Sequence, residues 1–108
     1  KGSAPTLIFD EIDTGVGGAV ADAIGARLAR LAENLQVLAV THSPQVAARA
    51  SQHMLISKME EVQGKRMVTR VQPLSSQSRR EEVARMLSGA QVTEAARAQA
   101  DELLRGRG

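Results

Sequence analysis

Thr6-Leu7-Ile8-Phe9-Asp10-Glu11 is a short apolar run that stops abruptly on two carboxylates, and Val37-Leu38-Ala39-Val40-Thr41-His42 is a second such run that stops on a hydroxyl and an imidazole. Runs of this kind read as buried strands of a parallel sheet. Between them, Thr14-Gly15-Val16-Gly17-Gly18 reads as loop, because three glycines in four residues break both helix and strand. Over residues 19–33 the spacing turns helical: Val20, Ile24, Leu28 and Leu31 fall on one face, with Asp22, Arg27 and Arg30 off it. Asn34 is the stop. Strand, helix and strand over this length imply parallel neighbours joined by a right-handed crossover.

The remainder is punctuated by local signals. Ser43-Pro44 reads as a cap followed by proline in the first turn of a short helix running to residue 50. Residues 53–57 and 66–71 are strand-like runs around Gln63-Gly64-Lys65, which predicts a hairpin. A helix over 78–87 puts Val83, Met86 and Leu87 on one side; a second, starting at Thr93, aligns Ala96, Ala100, Leu103 and Leu104. Gly106 and Gly108 mark a frayed end. The chain divides into a strand–loop–strand region at 6–50, a hairpin at 53–72 and closing helices at 77–105.

The 108 residues allow one small domain, and 24% charged with 43% hydrophobic residues is ordinary globular composition. The absence of cysteine excludes a disulfide framework and thiolate metal sites. No window approaches a membrane span, and the first residues have no signal-peptide pattern. A net charge of +2 does not by itself argue for nucleic acid. Aromatic content is 1%, a single Phe9, while alanine is abundant. Small side chains bury little area each, so such a core is marginal alone. Two readings stay open here: a segment that packs against more protein, or a composition set by a GC-rich genome. Met54, Met59, Met67 and Met86 read as core or gap fillers.

Ligands of a parallel sheet sit outside the carboxyl ends of its strands. With the two strands as neighbours, Asp10, Glu11 and His42 share one rim. Helix capping does not account for the acids, since the next helix begins only after Gly17-Gly18, and Ser43 takes the cap at Pro44. Successive residues of an extended chain point apart, so one carboxylate can hold Mg²⁺ while the other deprotonates a water. His42 can then hydrogen-bond a transferring phosphoryl group.

These residues resemble those of a known family. Residues 7–11 look like the Walker B motif of ABC-type ATPases and Thr41-His42 like their switch-histidine loop. The runs at 10–18 and 40–48, with the stretches at 68–74 and 82–104, are similar to an SMC-like branch of that family that acts in bacterial DNA double-strand break repair and recombination. The resemblance implies an α/β fold, the C-terminal lobe of a P-loop (ABC/SMC-type) NTPase head. It implies Asp10 as the Mg²⁺ ligand, Glu11 as catalytic base and His42 as γ-phosphate sensor. Thr14, Gly15, Val16 and Gly17 fall where a nucleotide-side loop crosses between two heads. Wider relatives end that loop on an aspartate, where this chain has Gly17 with Asp13 displaced upstream, so the loop would act through its backbone.

No G-x-x-x-x-G-K-[ST] occurs in the chain, so it has no phosphate cradle of its own. Ser88-Gly89-Ala90 lies too far downstream to be the family's Ser-Gly-Gly signature. The implied partners are therefore an N-terminal Walker A lobe of the same protein, a second head that sandwiches ATP, and DNA through the full-length protein. No membrane partner is implied, and the location would be the cytoplasm, at the nucleoid. The missing Walker A strand would lie between the strands at 37–41 and 54–57, so those two are expected not to pair. The isolated segment is expected to be inactive. Two alternatives stand beside this. One is an interaction or DNA-docking module using Arg79, Arg80, Arg85 and Arg97, which Glu81, Glu82, Glu94, Asp101 and Glu102 interleave. The other is a different ABC-type head, against which Ile12 replaces the usual proline after the Walker B glutamate. Lys58, Lys65, Arg66 and Arg70 read as a surface hairpin beside Glu60 and Glu61.

Overall fold

The computed structural model of the chain describes residues 5–60 and 66–105. The hairpin turn at Gln63-Gly64-Lys65, the charges of Glu61 and Lys65, and the ends at Gly106 and Gly108 lie outside the described residues. β1 (Thr6–Asp10) is followed by α1 (Gly18–Leu31), β2 (Gln36–Val40) and α2 (Pro44–Ala48). β3 (Met54–Glu60) and β4 (Met67–Pro73) lead to α3 (Ser76–Ser88) and α4 (Glu94–Leu104).

β1 and β2 pair in parallel, with Ile8 opposite Leu38 and Asp10 opposite Val40. The ladder runs one step further, where the Glu11 N–H donates to the Val40 carbonyl at 2.7 Å. Side chains alternate across a sheet. One face turns Phe9 and Val37 onto Ala21, Leu28 and Val46, with Ile24 alongside. The other holds Ile8, Leu38 and Val40, and it is open: Ile8 is 69% exposed. β3 and β4 form a separate antiparallel pair, so the strands at 37–41 and 54–57 are not hydrogen-bonded to each other, as expected.

The buried face of α1 keeps Leu28, with Ile24 packed against the core, but otherwise differs from the expected one. Ala21, Gly25 and Leu28 are buried, while Val20 and Leu31 are exposed. The reason is close approach to α2. A Cβ at Gly25 would sit 2.8 Å from Arg49 Cγ and 3.3 Å from the Gln45 carbonyl oxygen and Val46 Cα. The small-residue stripe therefore faces α2, and a two-ended hydrogen bond from the Arg49 guanidinium to Asp22 fixes the crossing. Val20 and Leu31 meet no large surface among the described residues.

α3 and α4 build a second core from Val83, Ala84, Ala96 and Ala100, flanked by Leu87, Val92, Leu103 and Leu104. Ser43, Ser75 and Thr93 cap α2, α3 and α4, each side chain accepting from a backbone N–H three residues on. α2 stops at Ala48 rather than residue 50. Arg79 of α3 donates to the last two carbonyls of α2, those of Ala47 and Ala48, and to the Ala50 carbonyl just beyond it. Met54, Met59 and Met67 are exposed on the hairpin and do not fill a core, because no described element covers that sheet.

Candidate functional site

The parallel register delivers both strand ends to one rim. Asp10 is the last residue of β1, and its carboxylate is exposed and bonded to no other described side chain. Directly after it the chain turns sharply. Glu11 has φ 56°, which no other non-glycine residue among those described approaches. Left-handed backbone of this kind costs an ordinary side chain about 1–3 kcal/mol and clusters where chemistry is done. The turn is held by Thr14, whose N–H and hydroxyl both donate to the Glu11 carbonyl, at 3.3 and 2.9 Å.

His42 is the second residue after β2. Its Nε2 stands 3.1 Å from Glu11 Oε2, across 31 positions of sequence. The imidazole is 87% exposed, so it is presented outward from the rim. Glu11 and His42 are thus brought together, and Asp10 lies beside them through its pairing with Val40. The Thr14 hydroxyl also reaches Glu11 Oε1, at 3.5 Å. Gly15, Val16 and Gly17 form an exposed loop, with Gly15 at φ 81°. Gly17 is the N-cap of α1, and no side chain caps that helix, so neither acid of the rim is spent on capping.

One participant escapes a reading of the sequence. Asp13, in the middle of the exposed loop, is only 7% exposed. Thr41 Oγ1 donates a hydrogen bond to Asp13 Oδ2 and accepts one from the Ser43 N–H at 2.9 Å. The available signal is an acid placed two residues after Glu11, facing a threonine next to His42, but only the register of β1 on β2 turns that spacing into a contact.

The donor set suits a divalent ion that is mostly held by its ligand. Mg²⁺ keeps several waters and takes one or two carboxylates alongside phosphate oxygens, and Asp10 offers one unpaired carboxylate. No group of three acidic or imidazole side chains that could cage a metal occurs among the described residues.

The arginines offered as a docking face are engaged elsewhere. Arg80 bonds Asp101 at 2.6 Å, Arg85 bonds Glu82, Arg97 bonds Glu81 at 2.8 Å, and Arg79 is turned into α2. The hydrogen bond to Asp101 holds the Arg80 guanidinium above its ordinary pKa and the Asp101 carboxyl below its own. No described helix is long and apolar enough to cross a membrane.

In fold, the chain is one part of a head of the SMC type. A solved chain from work on ATP-driven dimerization and DNA-stimulated activation of SMC ATPases superposes with a TM-score of 0.62. The match covers 82% of this chain and 50% of that one at 19% identity, and it establishes the fold. By sequence the chain belongs to the RecN family. It is 47% identical over 104 residues to the DNA repair protein RecN of Xylella fastidiosa. It is 49% identical over 102 residues to that of Deinococcus radiodurans and 46% over 100 residues to that of Bacillus subtilis. These alignments cover 94%, 94% and 93% of the chain but only 18%, 18% and 17% of the relatives, so the chain spans less than a fifth of their length. No protein-family model matches it.

Proposed function

We propose that the chain is the C-terminal half of an ATP-hydrolysing head in a protein that acts in DNA double-strand break repair. Its strand–loop–strand region at 6–50 would carry the catalytic groups. An N-terminal lobe with the phosphate-binding loop would complete the head, and ATP would lie between two heads. The observation that carries this reading is the 3.1 Å approach of His42 to Glu11 at the rim of the parallel sheet. The open face of Ile8, Leu38 and Val40 supports it independently, since half of a core leaves such a face.

Asp10 would hold Mg²⁺, which when bound neutralises charge on the phosphate oxygens. Glu11, left-handed at the strand end, holds its carboxylate against His42 of the facing loop and accepts the proton of the attacking water. His42, on the facing loop, donates a hydrogen bond toward the departing γ-phosphoryl group. Thr14 steadies Glu11 at its carbonyl and, more weakly, its carboxylate. Gly15, Val16 and Gly17 extend from this turn with backbone exposed, where a second head would meet it. DNA would act through the full-length protein by biasing head engagement.

The test is Glu11→Gln in the complete protein. A lost general base lowers turnover by about 10²- to 10⁴-fold, while nucleotide binding persists. Undiminished turnover would remove Glu11 from the role. The 108-residue segment alone is expected to hydrolyse no ATP.

A further inference from the structure

We propose that Asp13 is a positioning residue for His42, acting through Thr41; this rests on the catalytic reading of Glu11 and His42 above. The two loops of the rim are joined twice. The outer link, Glu11 to His42, is exposed to water, where such a pair contributes about 0–1 kcal/mol and cannot hold a loop in place. The inner link, Thr41 to Asp13, is shielded: Asp13 is the one buried polar or charged side chain among the described residues.

A buried carboxylate is tolerated only when hydrogen-bonded, and its bond to a hydroxyl is charge-assisted. The Thr41 hydroxyl has its other side occupied by the Ser43 N–H, so the residues before and after His42 are both anchored to one oxygen. That oxygen is in turn fixed to the loop two residues beyond Glu11. The exposed imidazole therefore takes its position from the buried clamp and not from its own contact. Asp13 thereby has a side-chain task facing its own rim.

The experiment is steady-state ATP hydrolysis and hydrogen–deuterium exchange on the complete protein. Misplacement of a catalytic group without loss of substrate contacts lowers kcat about 10- to 100-fold, and leaves KM for ATP within about twofold. Asp13→Ala and Thr41→Val should each do this, and their double variant should be no worse than either alone. Thr41→Ser, which keeps the hydroxyl, should recover most of the turnover. Exchange over residues 41–46 should quicken in Asp13→Ala and Thr41→Val but not in Glu11→Gln.

Wild-type turnover in Asp13→Ala and Thr41→Val, with Glu11→Gln inactive, overturns the clamp and leaves the catalytic reading standing. Full turnover in Glu11→Gln overturns that reading instead. Slow exchange in Asp13→Ala rejects the clamp in either case. Should Asp13→Ala not fold, Thr41→Val against Thr41→Ser decides, since equal defects in those two reject the hydroxyl's role.

Discussion

The sheet-and-loop half of the molecule, β1 to α2, and the helical half, α3 with α4, solve the problem of burial in opposite ways. The helical pair closes on itself: Val83, Ala84, Ala96 and Ala100 are buried, and the arginines around them are matched to acids. The sheet half buries one face under α1 and leaves Ile8, Leu38 and Val40 on the other in the open. The proposed chemistry sits on the unfinished half. On that proposal, an edge that is to receive a ligand and a second lobe cannot also be sealed, whereas a helical pair with matched charges and small interlocking residues can support it from behind.

The largest effect that could break this contrast is Ile8→Glu. In the isolated segment the position is exposed, and the change should be nearly neutral. In the complete protein, where we expect the face to be covered, an unpaired buried carboxylate should cost at least about 3 kcal/mol. Val83→Ala is the matched control in the closed half. There the core is already complete, so it should cost about 2 kcal/mol in both contexts. Urea unfolding of the segment, and hydrogen exchange over β1 and α3 in the complete protein, read the two. Equal response of Ile8→Glu in both contexts would mean that nothing covers the sheet.

A smaller effect sharpens the comparison inside the sheet half. Gly25→Ala gains about 1 kcal/mol of helix propensity, but its methyl would crowd Arg49 Cγ at 2.8 Å and the backbone of α2 at 3.3 Å. Overpacking of that kind costs about 1–3 kcal/mol, and Arg49 cannot swing aside without releasing Asp22. A net loss of about 1 kcal/mol is therefore expected, visible as faster exchange over α2. A net gain would mean that the crossing is loose.

What a reading of the sequence could foresee follows from how local each cause is. The two parallel strands, the cap at Ser43, the helix start at Thr93 and the shared rim of Asp10, Glu11 and His42 rest on short-range pattern and on one topological rule. The burial of Asp13 depends on a contact with Thr41 28 residues away. The left-handed Glu11 is likewise set by its loop's ties to Thr14 and Val40, not by its residue type. On α1 the apolar spacing named Val20 and Leu31, yet contact with α2 was won by Ala21 and Gly25, because only small residues permit so close a crossing. Hydrophobicity alone cannot distinguish a side chain that packs within the segment from one left for a partner. The exposed Met54, Met59 and Met67 make the same point on the hairpin. Arg79 could be read as a surface cation, but it turns inward to donate to the carbonyls at the end of α2.

The smallest expected effect falls on the seam where the two halves meet. His53, just before β3, is half-buried beside Arg79 and Glu82. Burial, and after it the Arg79 charge, hold its pKa below the ordinary 6.5, with Glu82 opposing. Its Nδ1 is buried without a partner among the described residues. Between the lowered folded value and 6.5 the unfolded chain binds the proton more readily, so stability rises with pH across that window. The contribution is complete above 6.5 and is lost as pH falls through the window. Exchange over the end of α2 and the start of α3, corrected for intrinsic rates, should therefore be faster at about pH 5.5 than at about pH 7.5. His53→Gln should flatten that difference, because glutamine does not titrate. Arg79, already committed to two α2 carbonyls and that of Ala50 just beyond, loses a neutral neighbour when His53 gains a proton and faces a like charge instead. The acid-sensitive step is then separation of α3 from α2, not unfolding of either core, and a pH response that persisted in His53→Gln would assign it to another group.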